Sequence, residues 1–191
     1  MQKMTSVKRI CICAACIALC VVLPMAFHAF PNGGSVFLPM HIPVLLCGMI
    51  CGWPFGLVCG LMGPALSSLL TGMPPAAMLA PMMIECGVYG AASGLLLHFV
   101  RTGKTYPDLC ISLVAAMLLG RVVAGIAKAL IFAPGTSFAA WATASFVTAL
   151  PGILVQLIFL PVIVAALSQA GLIPRRYENE KGICHAKKRC H

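Results

Sequence analysis

Three ionisable side chains lie inside strongly apolar stretches of this chain: Glu85, Arg121 and Lys128. Charged residues at membrane depth cost about 2.5–3.5 kcal/mol on insertion scales, so they are typical of a binding site or a buried ion pair. With a helix rise of about 1.5 Å per residue, Glu85 lies about 8 Å, Lys128 about 6 Å and Arg121 about 16 Å below one membrane face. These depths predict a charged cluster in one half of the bilayer.

Uncharged polar residues fall at similar depths. Gln156 lies about 15 Å below the same membrane face, level with Arg121. Tyr89 lies one helical turn from Glu85. The pattern predicts a polar cavity that opens outward. Its predicted substrate-binding residues are Arg121, Glu85, Tyr89, Gln156, Lys128, His41 and Ser67. The structural alternative is a buried Glu85–Lys128 pair, with Arg121 extended toward the interface.

The charges of Glu85, Arg121 and Lys128 sum to +1, and a buried excess charge is costly unless it is paired. A carboxylate or phosphate on the ligand supplies that partner, and an Arg guanidinium binds either group with two parallel hydrogen bonds. The net positive charge of these three residues therefore favours an anionic ligand contacted by Arg121. A second arrangement pairs Glu85 with Arg121 and leaves Lys128 to reach the surface.

The cysteine and histidine motifs are weaker evidence for a function than the charged cluster is. The spacing of Cys13 and Cys16 is that of a redox pair, which makes an intramembrane thiol oxidoreductase an alternative. The tail dipeptides Cys184-His185 and Cys190-His191 contain ligands for a soft metal, but a terminal tail is a weak site. The chain has no zinc-protease, nucleophile-elbow or phosphate-loop motif. We predict no catalytic residue, no metal site and no cofactor, and therefore not an enzyme.

The composition of the chain is that of an integral membrane protein. Of 191 residues, 61% are hydrophobic and only 9% are charged, and the mean hydropathy is +1.01. Soluble domains have about 45–50% apolar and about 25% charged residues. This difference excludes an ordinary soluble enzyme, a disordered protein and a nucleic-acid-binding module. Nine of the eleven cysteines lie in or beside apolar runs, where Cys acts as a small hydrophobic residue.

The apolar runs predict an all-α integral membrane protein with six transmembrane helices. Each run approaches the ~20 residues that cross a bilayer. The predicted spans are residues 10–27, 38–52, 55–71, 80–100, 109–132 and 146–170. Together they form one transmembrane domain, residues 1–173. We expect residues 174–191 to be a basic, disordered cytoplasmic tail.

The basic residues orient the bundle. With both termini inside, the N-terminal arm, the 101–108 connection and the C-terminal tail carry eleven of the thirteen Lys and Arg residues. The connections at 28–37, 72–79 and 134–142 carry none. Cytoplasmic loops are enriched in Lys and Arg, so the chain is predicted to be N-in and C-in. This places the polar cluster in the outer half, beneath the loops at 28–37 and 72–79, which we expect to act as lids.

Small residues recur every four positions on several predicted helices. They are Gly48, Gly52, Gly56 and Gly60; Ala116, Gly120 and Ala124; and Ala14 and Ala18. This spacing lets helix backbones approach closely in lipid. It is consistent with packing inside the bundle or with contact to a partner protein.

Several segments resemble the substrate-binding S components of energy-coupling factor (ECF) transporters. The similar segments are LPMHIPV at 38–44, the glycines at 48–60, SSLLTGMP at 67–74 and PMMIE at 81–85 followed by Tyr89 and Gly90. The basic start followed by Ala14 and Ala18 is similar to the first-helix motif through which that family docks. The resemblance covers about the first hundred residues.

The resemblance implies a plasma-membrane bundle of six helices with an outward-facing vitamin pocket. It implies that the protein captures a micronutrient outside and docks, through Ala14 and Ala18, on a transmembrane scaffold subunit with two cytosolic ATPases. It also implies toppling in the bilayer to release the substrate. Among the substrates of the family, the predicted Arg121 contact favours an anionic one such as pantothenate. The alternative is a stand-alone secondary transporter that needs no ATPase.

Overall fold

The computed structural model describes residues 4–27, 39–127 and 150–170. These residues form six α-helices and no strand. The helices are α1 Ser6–Phe27, α2 His41–Cys51, α3 Trp53–Thr71, α4 Ala76–Phe99, α5 Thr105–Ala127 and α6 Leu150–Gln169. The predicted all-α membrane bundle is therefore confirmed. Lys128, the 28–37 loop and the basic tail lie outside the described residues.

Five of the six helices are long and apolar enough to cross a membrane. Many of their large apolar side chains are exposed, as lipid contact requires in a protein whose surroundings are hydrocarbon. Helix α2 is different because it has only 11 residues. At about 1.5 Å per residue it extends about 16 Å, roughly half of a bilayer core. The described part of the second predicted span thus does not cross by itself.

Two glycines end helices where the chain turns sharply. Gly52, with φ +94°, separates α2 from α3, and its N–H donates to the Gly48 carbonyl. Gly72, with φ +73°, ends α3, and its N–H donates to the Ser68 carbonyl. Both backbones lie in the left-handed region that favours glycine. The connection from α3 to α4 is shorter than the predicted loop at 72–79, because α4 begins at Ala76, directly after Pro75.

Helices α2, α3 and α4 meet backbone to backbone at Gly48, Gly56 and Gly90, which we call the glycine junction. A Cβ at Gly90 would overlap the Gly56 carbonyl, and one at Gly48 or Gly56 would overlap the Gly90 carbonyl oxygen. The Ser93 hydroxyl links the same helices by donating to the Leu45 carbonyl at 3.4 Å. The four-residue glycine spacing therefore serves packing inside the bundle, by the close approach that small residues permit.

The other helices surround this junction. Helix α1 packs against α2 and α3, α5 packs mainly against α4, and α6 packs against α5 and α2. At the start of α5, buried Asp108 accepts hydrogen bonds from the Thr102 N–H and hydroxyl at 2.7 and 2.6 Å. These bonds fix the turn between α4 and α5.

Seven buried cysteines from helices α1 to α4 belong to the core of the bundle. This buried thiol cluster comprises Cys13, Cys16, Cys20, Cys47, Cys51, Cys59 and Cys86. The Cys13 and Cys47 thiols donate to one carbonyl oxygen, that of Phe55, at 3.7 and 3.5 Å. Their burial agrees with the prediction that these cysteines pack as small residues.

Candidate functional site

Three of the predicted polar residues meet in the interior. The Tyr89 hydroxyl donates to Glu85 Oε1 at 2.9 Å, and His41 Nε2 lies 3.6 Å from the same oxygen. The His41 and Tyr89 rings meet edge to face with centroids 5.0 Å apart. Both rings are almost fully buried, whereas about a quarter (26%) of the Glu85 side chain is exposed. We call these three residues the carboxylate site.

Local helix geometry explains how the carboxylate site forms. Glu85 and Tyr89 are four residues apart on α4, so their side chains lie on one helix face. His41 is the first residue of α2, whose distance from α4 is set by the glycine junction. Glycine at position 120 lets the Tyr89 ring lie directly against the α5 backbone, because a Cβ there would overlap the ring.

Arg121 follows Gly120 on α5 and is only 5% exposed. It lies near enough for its charge to act on both Glu85 and Tyr89. The pairing of Arg121 with Glu85 that was considered from the sequence stays a prediction. The predicted Glu85–Lys128 pair lies outside the described residues because Lys128 does.

The remaining predicted site residues have different surroundings. Gln156 is buried on α6, the helix that packs against α2 and α5, which carry His41 and Arg121. Ser67 is also buried, but its hydroxyl donates to the Met73 carbonyl at 2.8 Å, and neighbouring Ser68 donates to the Pro74 carbonyl at 2.9 Å. These hydroxyls hold the short turn between α3 and α4, so the observed bonds of Ser67 are structural.

The close approach of His41 to Glu85 is the feature that the sequence did not predict. Both residues were candidates, but their helices are separated by α3, and no spacing rule relates them. The glycines at 48, 56 and 90 were the available signal, because close packing of α2 on α4 brings these two residues together.

The small residues of α1 and α5 also differ in their surroundings. Ala116 and Gly120 are buried against neighbouring helices, whereas Ala14 and Ala18 are exposed on α1. Exposed alanines on a membrane helix leave a surface that lipid or another helix can cover. Among the described residues, no group of three or more His, Cys, Asp or Glu side chains has an arrangement that could hold a metal ion.

An apolar bundle that gathers a carboxylate, an imidazole and a guanidinium in its interior belongs to the class of membrane proteins that handle polar solutes. The sequence matches the family model of the substrate-specific component of ECF transporters over residues 8–164. The chain therefore belongs to this family. It is a multi-pass plasma-membrane protein and a transport subunit. No curated protein and no solved structure matches it significantly.

Proposed function

We propose that the chain captures a vitamin or related micronutrient at the outer face of the membrane and delivers it to an ECF scaffold subunit with two cytosolic ATPases. The observation that supports this most is the carboxylate site, with Arg121 beside it. A His, an Arg and a partly exposed carboxylate at membrane depth, in a bundle that is otherwise apolar, are typical of a site that binds a polar ligand.

We assign Arg121 to an acidic group of the ligand, a carboxylate or phosphate, as in pantothenate. The guanidinium is planar and binds such groups through two parallel hydrogen bonds. Gln156 is the proposed uncharged neighbour of this contact, because α6 packs against α5. Arg121 also interacts with Glu85, so the ligand acts on a partly balanced pair.

The proposed docking surface is the exposed side of α1 around Ala14 and Ala18. Two methyl groups one turn apart allow a partner helix to approach closely. Basic residues Lys8 and Arg9 precede this surface, where we expect the cytoplasmic end of α1.

The test is uptake by vesicles that contain the purified chain, with and without scaffold and ATPase subunits. A ligand identified by mass spectrometry of the purified protein is offered outside, with ATP enclosed. We expect tight binding by the chain alone and accumulation only with all partners. Accumulation by the chain alone, driven by an ion gradient, would instead favour a stand-alone secondary transporter.

A further inference from the structure

We propose that the ligand presents a nitrogen-bound hydrogen, from an amine, an amidine or an amino-substituted heterocycle, to the Glu85 carboxylate. This inference rests on the proposed function and narrows the substrate class at the carboxylate site. The argument uses the exposure of the site residues and the hydrogen-bonding capacity of a carboxylate.

Glu85 is the accessible ionised group of the site. Its side chain is 26% exposed, whereas His41 is 2%, Tyr89 1% and Arg121 5% exposed. A ligand that arrives at this site therefore meets a carboxylate first. The guanidinium, although nearby, is largely covered in the structure described.

The hydrogen bonds of Glu85 leave it room for one more partner. Oε1 accepts the Tyr89 hydroxyl and lies 3.6 Å from His41 Nε2. An ionised carboxylate has two oxygens and about four lone-pair positions, and it only accepts hydrogen bonds. A ligand group that binds the Glu85 carboxylate must therefore donate a hydrogen bond. A nitrogen donor that carries a positive charge binds most strongly, because both partners are then ionised.

The neighbouring residues hold this acceptor in place. The Tyr89 hydroxyl fixes Oε1, and the Tyr89 ring is itself fixed against Gly120 and the edge of His41. A carboxylate held in this way loses little conformational freedom when the ligand binds, which favours affinity. An anionic group in the same position would instead be repelled by the like charge.

The two proposed contacts select among micronutrients. A ligand with a nitrogen donor at one end and an acidic or carbonyl group at the other satisfies both Glu85 and Arg121. Pantothenate has a carboxylate for Arg121, but its donors for Glu85 are an amide N–H and two hydroxyls, which are uncharged and bind a carboxylate less strongly than a cationic nitrogen group does. It is therefore the informative negative probe.

The experiment measures binding of thiamine, pyridoxamine, folate and pantothenate to the purified full chain in lipid nanodiscs, for the wild type and for Glu85→Gln. The first three probes carry an amine or an amino-substituted heterocycle. Folate alone among them also carries carboxylates for Arg121, so thiamine and pyridoxamine test the Glu85 contact by itself. We expect one of these three to bind, and Glu85→Gln to weaken its affinity by about 10- to 100-fold, the usual value of a hydrogen bond to a charged group. Glu85→Gln removes negative charge, so it should leave an anion's affinity equal or higher.

Two further variants separate a ligand contact from a folding defect. Asp108→Asn makes the same chemical change at a buried carboxylate that binds Thr102, and it should leave affinity unchanged. Tyr89→Phe keeps the ring but removes the hydrogen bond to Glu85, and it should weaken binding by a smaller factor, about 3- to 10-fold. Thermal unfolding of each variant checks the fold.

The outcomes distinguish the two proposals. Binding of pantothenate but of none of the nitrogen probes, or recovery of a bound molecule without such a nitrogen group, overturns this inference and leaves the proposed function intact. Equal affinity of a nitrogen probe for the wild type and Glu85→Gln also overturns it. A chain that binds none of the four probes and retains no small molecule on purification would contradict the proposed function as well.

Discussion

Individual polar residues determine what this bundle can bind. The Tyr89 hydroxyl donates to Glu85 Oε1, His41 Nε2 lies 3.6 Å from the same oxygen, and the charge of Arg121 acts on Glu85 from α5. Each would be costly among apolar side chains if it were isolated. Their proximity reduces that cost, because opposite charges and hydrogen-bond partners compensate one another. The functional predictions at this scale therefore concern the removal of one member of the group.

Replacing Arg121 tests the proposed contact with an acidic group. Arg121→Ala should weaken ligand binding by about 2–5 kcal/mol, the usual loss when one partner of a buried charged contact is removed. Arg121→Lys should restore little, because an ammonium group cannot form the two parallel hydrogen bonds. Titration calorimetry in nanodiscs measures both. Near-native affinity of a folded Arg121→Ala protein would return Arg121 to a structural role.

The sequence identified polar residues that meet in the interior, but it did not predict how they are arranged. Glu85 and Tyr89 follow from a rule of helix geometry, since residues four apart share a face. The distance from His41 to Glu85 follows from no such rule, because it depends on how two helices pack around glycines that are far apart in sequence. The hydroxyl of Ser67 donates to the Met73 carbonyl in the next turn, a bond that the sequence did not predict. A role for Ser67 in the site stays a prediction.

At the scale of elements, the apolar runs were sufficient to locate the helices. The predicted spans agree with the described helices to within about four residues at each described end. In the second span, LPM at 38–40 is apolar, although residues 39 and 40 form a turn before α2. Hydropathy reports burial in lipid or protein alike, so it could not distinguish this turn from helix.

The glycine junction predicts a sharp difference between two neighbouring glycines of α4. Gly90→Ala should lower the free energy of unfolding by up to about 3 kcal/mol, because the new methyl group meets the rigid backbone of Gly56. The thermal unfolding midpoint should fall accordingly. Gly87→Ala is the matched control. Its methyl group would meet only Leu61 and Leu57 side chains at 3.3 and 3.4 Å, which can move. Similar midpoints for the two variants would show that the helices are not in backbone contact.

The exposed side of α1 predicts a separation of binding from assembly. Ala14→Trp or Ala18→Trp should abolish co-purification with the scaffold subunit, because the indole ring blocks close approach of a partner helix. Ligand affinity of the isolated chain should not change, since both alanines are exposed. Val114→Trp, at an exposed position of α5, is the control. Retained assembly with reduced affinity would instead place α1 packing within the bundle.

At the scale of the whole molecule, replacing thiols of the buried thiol cluster tests whether the protein needs redox chemistry for transport. The Cys13 thiol is 6% exposed and donates to the Phe55 carbonyl, as expected of a packed residue. We expect a Cys13→Ser, Cys16→Ser double variant to keep ligand affinity and ATP-dependent uptake within about 2-fold, a change of under ~0.5 kcal/mol. Vesicle uptake measures this. Loss of uptake, with affinity and assembly retained, would revive the thiol oxidoreductase alternative.

The glycine junction also limits how this molecule can change shape. Where backbone meets backbone, no side chain can change rotamer to absorb a displacement, so α2, α3 and α4 cannot slide past one another by small steps. We therefore expect these helices to move as one rigid unit, and all three residues of the carboxylate site, on α2 and α4, to move with it. Motion that admits or releases a ligand must therefore come from the surrounding helices and loops, or from rotation of the whole rigid unit in the bilayer. If the chain transports a ligand as proposed, we expect the ligand to cross by reorientation of this rigid unit rather than by rearrangement within it.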